Sequence, residues 1–343
     1  RGLGDVYKRQ LSQAFTAYNT RIVAPPHGSM LPMSPVRKNI LMVACALGLL
    51  IPVVIIFICE NMNTRVRGRK DLESVTVPFI GEIPLFTRKK KGIFRKKPQE
   101  VRAIVVKEGS RDIINEAFRV LRTNLEFMTG KDKASNVIIV TSFNPGSGKS
   151  FLTMNIAVSF AIKGKKVLVI DGDLRHGSAS SYIDSPTKGL SDYLGGRIDN
   201  LNEIIVTNPK QKYLDILPVG TIPPNPTELL FDDRLKQVID TVREQYEYVL
   251  IDCPPIELVA DTQIIEKLAD RTIFVVRAGL LELSMLAELE KIYGEKKYKN
   301  MSLILNGTEG SGGRYGYRYG YRYGYHYGYG SEYHYGSDEK YIE

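Results

Sequence analysis

Pro145-Gly146-Ser147-Gly148-Lys149-Ser150 carries the clearest chemistry in this sequence. Small residues let backbone N–H groups wrap a phosphate chain, the Lys reaches its terminal phosphates, and the hydroxyl that follows ligates Mg²⁺. A helix opening at Ser150 aims its positive end at the same anion. The full spacing has a Gly six residues before the Lys. Position 143 is Phe instead, so the match is incomplete. Three aspartates also end apolar runs: Asp171 and Asp173 after VLVI, and Asp252 after YVLI. A lone aspartate there is a turn or cap residue. Three of them beside a phosphate loop form a constellation for Mg·ATP chemistry, because carboxylates at strand ends sit next to the metal and the γ-phosphate.

The elements that must position these groups are legible in the periodicity. Short continuous apolar runs at 137–140, 167–171, 214–218, 248–252, 272–276 and 302–305 read as buried parallel strands. Helical patterns lie at 110–128, 226–245, 261–269 and 282–297, and another follows the phosphate loop as far as Gly164. Strands alternating with helices predict an α/β fold: a mostly parallel sheet, P-loop NTPase-like, with helices on both faces. In such a sheet the strand C-termini converge on the ligand crevice. That brings the loop and the three aspartates together.

The 343 residues carry a formal charge of +9. Between positions 61 and 107 there are thirteen Lys or Arg against four Asp or Glu, which accounts for the whole excess. The remainder balances to zero, so the charge is not the footprint of a nucleic-acid-binding fold. Residues 40–59 contain no charged side chain and are long enough for a helix to cross a bilayer. A buried core helix would rarely run so far without a polar residue. Three Lys or Arg precede the span between 11 and 39, and twelve follow it between 61 and 102. The positive-inside rule therefore puts the C-terminal side in the cytoplasm, with anionic lipid as a partner. Three cysteines, Cys45, Cys59 and Cys253, cannot build a disulfide framework.

The domain boundaries expected are these. Residues 1–10 resemble a sequencing artefact, which makes the chain a fragment. Residues 11–39 are expected to be a Pro-rich extracytoplasmic segment, 40–59 the membrane helix, and 60–105 a basic juxtamembrane linker. Residues 106–307 form the catalytic domain and 308–343 a Tyr-rich tail. Eleven of the twenty tyrosines fall in that tail, at Tyr315, Tyr317, Tyr319, Tyr321, Tyr323, Tyr325, Tyr327, Tyr329, Tyr333, Tyr335 and Tyr341. The Gly-rich repeat has no apolar face to bury and is expected to be disordered.

On the pieces VPFIGEIP (77–84), SFNPGSGKS (142–150), VLVIDGDLR (167–175), GLSDYLGG (189–196), LPVGTIPPNPTELL (217–230) and YEYVLIDCPP (246–255), the sequence resembles the bacterial tyrosine kinases fused to polysaccharide co-polymerases. The resemblance covers most of residues 20–335. It implies transfer of a phosphoryl group from Mg·ATP to protein tyrosine. Lys149 and the loop Pro145 to Ser150 would hold ATP, and Ser150, Asp173 and Asp252 would hold the metal. Asp171 would accept the tyrosine proton, and Asn306 would read the adenine. It further implies that the tail tyrosines are the acceptors. Glu116, Arg119 and Arg122, which share one helix face, would then pack subunits into a ring whose tails enter neighbouring sites. On residues alone, an intrahelical Glu116–Arg119 pair explains that motif as well. Regulation of capsular or exopolysaccharide synthesis, chain length or export is implied too. The partners would be export and polymerisation machinery and a tyrosine phosphatase, at the bacterial inner (plasma) membrane. A neighbouring family, the partitioning and septum-positioning ATPases, carries a Lys five residues before the phosphate Lys. Asn144 stands there, which favours the kinase over an ATPase switch that phosphorylates no protein.

Overall fold

The computed structural model describes residues 2–16, 37–61, 64–86, 103–129, 136–208, 211–256 and 260–309. The chain divides into two units, Arg1–Asn63 and Thr64–Glu343. The first holds helices α1 (Gly2–Thr16) and α2 (Arg37–Asn61). Helix α1 runs through the segment set aside as an artefact. Within α2, Arg37–Ile58 is long and apolar enough to cross a membrane, the one such helix among the described residues. Its large apolar side chains from Ile40 to Ile58 are exposed, and Pro52 lies inside it. A helix apolar on every side is one that lipid can solvate.

The second unit is an eight-stranded sheet. Its strands are β1 (Phe79–Pro84), β2 (Val137–Thr141), β3 (Val167–Asp171), β4 (Val206–Thr207), β5 (Leu214–Leu217), β6 (Tyr248–Asp252), β7 (Arg271–Arg277) and β8 (Met301–Thr308). They lie in the order β1-β8-β7-β2-β6-β3-β5-β4, parallel throughout except for β4 against β5. Successive side chains of a strand face opposite ways. Val137 and Ile139 enter one apolar layer, while Ile138 and Val140 enter the other. Both faces are covered, which is why the strands read as unbroken apolar runs.

On one face lie α3 (Ile113–Thr129) and α4 (Lys149–Ile162), through Phe118, Leu121, Leu125, Leu152, Ile156 and Phe160. On the other lie α7 (Asp233–Gln245) and α9 (Met285–Gly294), through Leu235, Val238, Val242, Leu286, Leu289 and Ile292. Short helices α5 (Leu190–Leu194), α6 (Pro226–Leu230) and α8 (Asp261–Glu266) complete the unit.

Two expectations differ from the structure, and one strand was not expected. The linker expected over 60–105 is, over 64–86, part of the α/β unit: Val66, Leu72 and Val77 are core residues, and β1 pairs with β8. A basic sequence with Pro78 and Pro84 reads poorly as a strand, but an edge strand tolerates proline. The helix expected over 226–245 is two helices, because Asp232 accepts from Arg234 N (2.8 Å) and caps a new start. The two-residue β4 has too short a pattern to read. The tail tyrosines lie outside the described residues.

Candidate active site

The phosphate loop leaves the C-terminal end of β2 and enters α4. Gly146 and Gly148 have φ of 74° and 87°, backbone that glycine adopts without strain. Gly148 is required for space as well, since a Cβ there would lie 2.2 Å from Asn306 Nδ2. The loop is fixed from below. The hydroxyls of Ser142 and Ser147 each donate to Asn144 O at 2.8 Å, and Asn306 Nδ2 donates to Ser147 O at 2.8 Å. Asn306, which the resemblance assigned to the adenine, thus braces the loop with its amide. Phe143, where the full motif has Gly, is buried edge-to-face against Phe274 with ring centroids 4.9 Å apart. The departure from the motif is an anchor in the core.

The cleft above the loop has a volume of about 540 Å³. Of the residues expected to act, Pro145, Gly146, Gly148, Lys149, Ser150, Asp173 and Asn306 line it. Ser147 is buried beneath it. Asp171 and Asp252 lie in register on adjacent strands and are both buried, behind the wall that Asp173 presents. Asp171 Oδ2 accepts from Ser180 N and Oγ, both at 2.6 Å, while its Oδ1 has no partner. Neither oxygen of Asp252 has a partner in full hydrogen-bond geometry, although the Ser150 side chain lies near enough to act on it. Burial raises Asp171 to about 7, with the charge of Asp173 adding and Ser180 opposing. Burial and then Asp171 raise Asp252 to about 8, against the pull of the Ser150 side chain and Lys149. Asp173 is held by Arg175 N and His176 N, at 3.3 and 3.2 Å, and faces His176 Nδ1 at 3.2 Å.

Buried carboxylate oxygens without donors, beside a serine hydroxyl, suit a hard cation that prefers oxygen. No cluster of three or more His, Cys, Asp or Glu side chains closes on one point among the described residues. Mg²⁺ in that setting would take few protein ligands, with phosphate and water completing its shell.

Several cleft residues were not singled out from the sequence. Arg277, ending β7, packs its guanidinium over Gly307, where a Cβ would lie 2.6 Å from Arg277 Cζ. The rule that strand C-termini face the crevice could have found it. Phe86, Phe151 and Tyr182 give the cleft aromatic walls. Phe86 was hidden because β1 was read as linker. Glu116, Arg119 and Arg122 stand on α3, away from the cleft. Glu116 pairs with Arg119, Arg119 Nη2 donates to Ser110 O (3.2 Å), and Arg122 Nη1 donates to Ser159 O (2.8 Å), tying α3 to α4.

Residues 135–303 match the AAA domain family. Bacillus subtilis tyrosine-protein kinase YwqD is 35% identical over 209 residues, 61% of this chain and 87% of that protein. Ralstonia solanacearum EpsB is 32% identical over 333 residues, 92% of this chain. The chain spans only 42% of the length of that relative. Among solved structures, the kinase domain of Escherichia coli tyrosine kinase ETK is 29% identical with a TM-score of 0.62, covering 78% of this chain and 100% of that one.

Proposed function

The chain belongs to the bacterial tyrosine-protein kinases, and from that membership we propose that it transfers the γ-phosphoryl group of ATP to tyrosines of its own C-terminal tail. The observation that carries the reading is the braced phosphate loop with Asp173 on the cleft wall and Asp171 and Asp252 buried behind it, on a chain with eleven tyrosines after Gly313.

Phosphoryl transfer asks mainly for positioning and charge neutralisation. The loop amides and the α4 N-terminus hold the phosphates, with Lys149 reaching the terminal one. Ser150, Asp173 and Asp252 would hold Mg²⁺, which when bound neutralises charge on the β- and γ-phosphates. Asp173 is the carboxylate at the cleft wall and serves the metal, and Asp171, raised to about 7 by burial, is the candidate to accept the tyrosine proton. Asp171 lies behind Asp173 and orients the 178–180 turn through Ser180. Arg277 adds positive charge at the rim. Tethering raises the acceptor concentration to about millimolar, so many equivalent tyrosines tolerate imprecise register.

The ring reading fits the exposed position of Arg119 but needs Arg122 to keep its bond to α4. The reading extends to anchoring by α2 in the inner membrane and to regulation of capsular or exopolysaccharide synthesis, chain length or export. A tyrosine phosphatase would reset the tail. The test incubates the purified chain with Mg·ATP and probes for phosphotyrosine. The reading expects a signal lost in Lys149→Met and on truncation after residue 309. ADP release without labelled tyrosine would favour the ATPase switch.

A further inference from the structure

A second cleft, of about 630 Å³, opens at the far end of the sheet. Arg271 begins β7 and Met301 begins β8, whereas the phosphate loop leaves the C-terminal end of β2, parallel to β7. The two clefts are separated by the height of the sheet, roughly 20 Å.

Three cations line this basal cleft, Arg271, Lys296 and Lys299, and no acidic residue does among the described residues. Lys299 Nζ is anchored on two carbonyls, Lys267 O (2.7 Å) and Ala269 O (3.1 Å), and its backbone N donates to Glu266. Its ammonium is therefore fixed without an ion pair. Arg271 Nε is buried with no hydrogen-bond partner. The adjacent acid, Asp270, accepts at Oδ2 from Arg243 Nη1 (2.6 Å) and Val137 N (2.9 Å), and acts on Arg271 by its charge without a hydrogen bond to Nε. Lys296 and Asn300 hold φ of 54° and 43°. Left-handed backbone ends α9 at Lys296 and turns the chain toward β8 at Asn300, a residue that adopts it readily. Met128, Tyr293 and Met301 supply an apolar wall.

Cations for a dianion beside a wall for an aromatic ring are the complement of phosphotyrosine. We propose that the basal cleft binds phosphotyrosine presented by the chain's own tail, an inference that rests on the function proposed above. The tail is the fitting occupant by charge and by reach. From Arg314 onward it carries four Lys or Arg and four Asp or Glu, so unmodified it offers little to three cations. Each phosphotyrosine adds about −1.5 to −2. Glu309 ends the described chain just beyond the C-terminal end of β8. Crossing the sheet height needs roughly seven extended residues, and most of the tail tyrosines lie farther along than that. A modified tyrosine, from the same chain or a neighbouring copy, would be held away from the catalytic cleft, leaving that cleft to unmodified ones.

The test uses the full chain in detergent, treated with phosphatase and saturated with a non-hydrolysable ATP analogue. It is titrated with a fluorescent synthetic peptide of residues 321–333 phosphorylated at Tyr327, which carries one Arg and one Glu before modification. Saturable binding is expected, weakened about tenfold or more by Lys296→Glu and by Arg271→Gln. The unphosphorylated peptide and inorganic phosphate should bind at least about tenfold more weakly than the phosphopeptide. Lys296 is an exposed side chain, and analogue binding measured in the same samples reports an intact fold. Equal binding of the two peptides, binding that survives both substitutions, or phosphate that matches the phosphopeptide overturns the proposal. The peptide is synthetic, so a chain that proved unable to phosphorylate its tail would still give a clear answer here.

Discussion

At Gly148 one methyl group decides whether the phosphate loop can keep its shape, because the Asn306 amide fills the space a side chain would need. Gly148→Ala is expected to lower nucleotide affinity by about a hundredfold, since the loop must both move and leave a favoured φ. Isothermal titration with an ATP analogue reads this, with circular dichroism confirming an unchanged fold. The paired aspartates give a second prediction. An unfolded aspartate titrates near 4. In the native chain Asp171 keeps its proton to about 7 and Asp252 to about 8. The native state thus binds more protons between those limits, and its stability falls as pH rises from about 4 to about 8. Thermal unfolding without nucleotide should show a lower Tm at pH 8 than at pH 6. Asp252→Asn should shrink that difference, raise Tm at pH 8 and abolish phosphoryl transfer. An unchanged pH slope in this variant would mean that the pair is not where the proton is held.

Strands β2, β3, β6, β7 and β8 were legible because burial on both faces writes an unbroken apolar run, and the phosphate loop because glycine spacing is a chemical necessity. Element β1 was not legible. FIGEIP lies between prolines and next to a Lys/Arg-rich stretch, and only pairing with β8 makes it a strand. The break between α6 and α7 was hidden because Asp232 looks like any surface acid until its side chain meets Arg234 N. Among site residues, Asp173 and Lys149 could be placed from spacing. The burial of Asp171 could not, since it depends on Ser180 folding back over β3. Ile83 of β1 is fully buried. Ile83→Ala should destabilise the chain by about 2–5 kcal/mol in chemical denaturation, where a flexible linker would show no effect. Asn155 makes a related case: Oδ1 accepts from Val105 N (2.7 Å) and Val106 N (3.2 Å), pinning residues 103–106 to α4. Asn155→Ala strands those two buried N–H groups, at about 1–3 kcal/mol each.

Across the molecule, charge is arranged along the chain and not over the fold. The basic excess falls between positions 65 and 107, after the apolar helix and within the first part of the α/β unit's sequence, and the tail begins near neutral. Modification of even three tyrosines would make that tail strongly anionic, so its isoelectric point moves acidic as the reaction proceeds. Assembly belongs to this scale as well. Arg119→Ala leaves the α3–α4 contact of Arg122 in place. It should reduce both the assembly size in light scattering and the rate of tail phosphorylation if neighbours serve each other. An unchanged assembly would remove the ring from the account and leave the kinase intact. The most direct test of the central claim is mass spectrometry of the purified chain after incubation with Mg·ATP. The account predicts phosphate on tyrosines beyond Gly313 in the wild type and none in Lys149→Met. Nucleotide bound with magnesium, yet no modified tyrosine in that stretch, would contradict it.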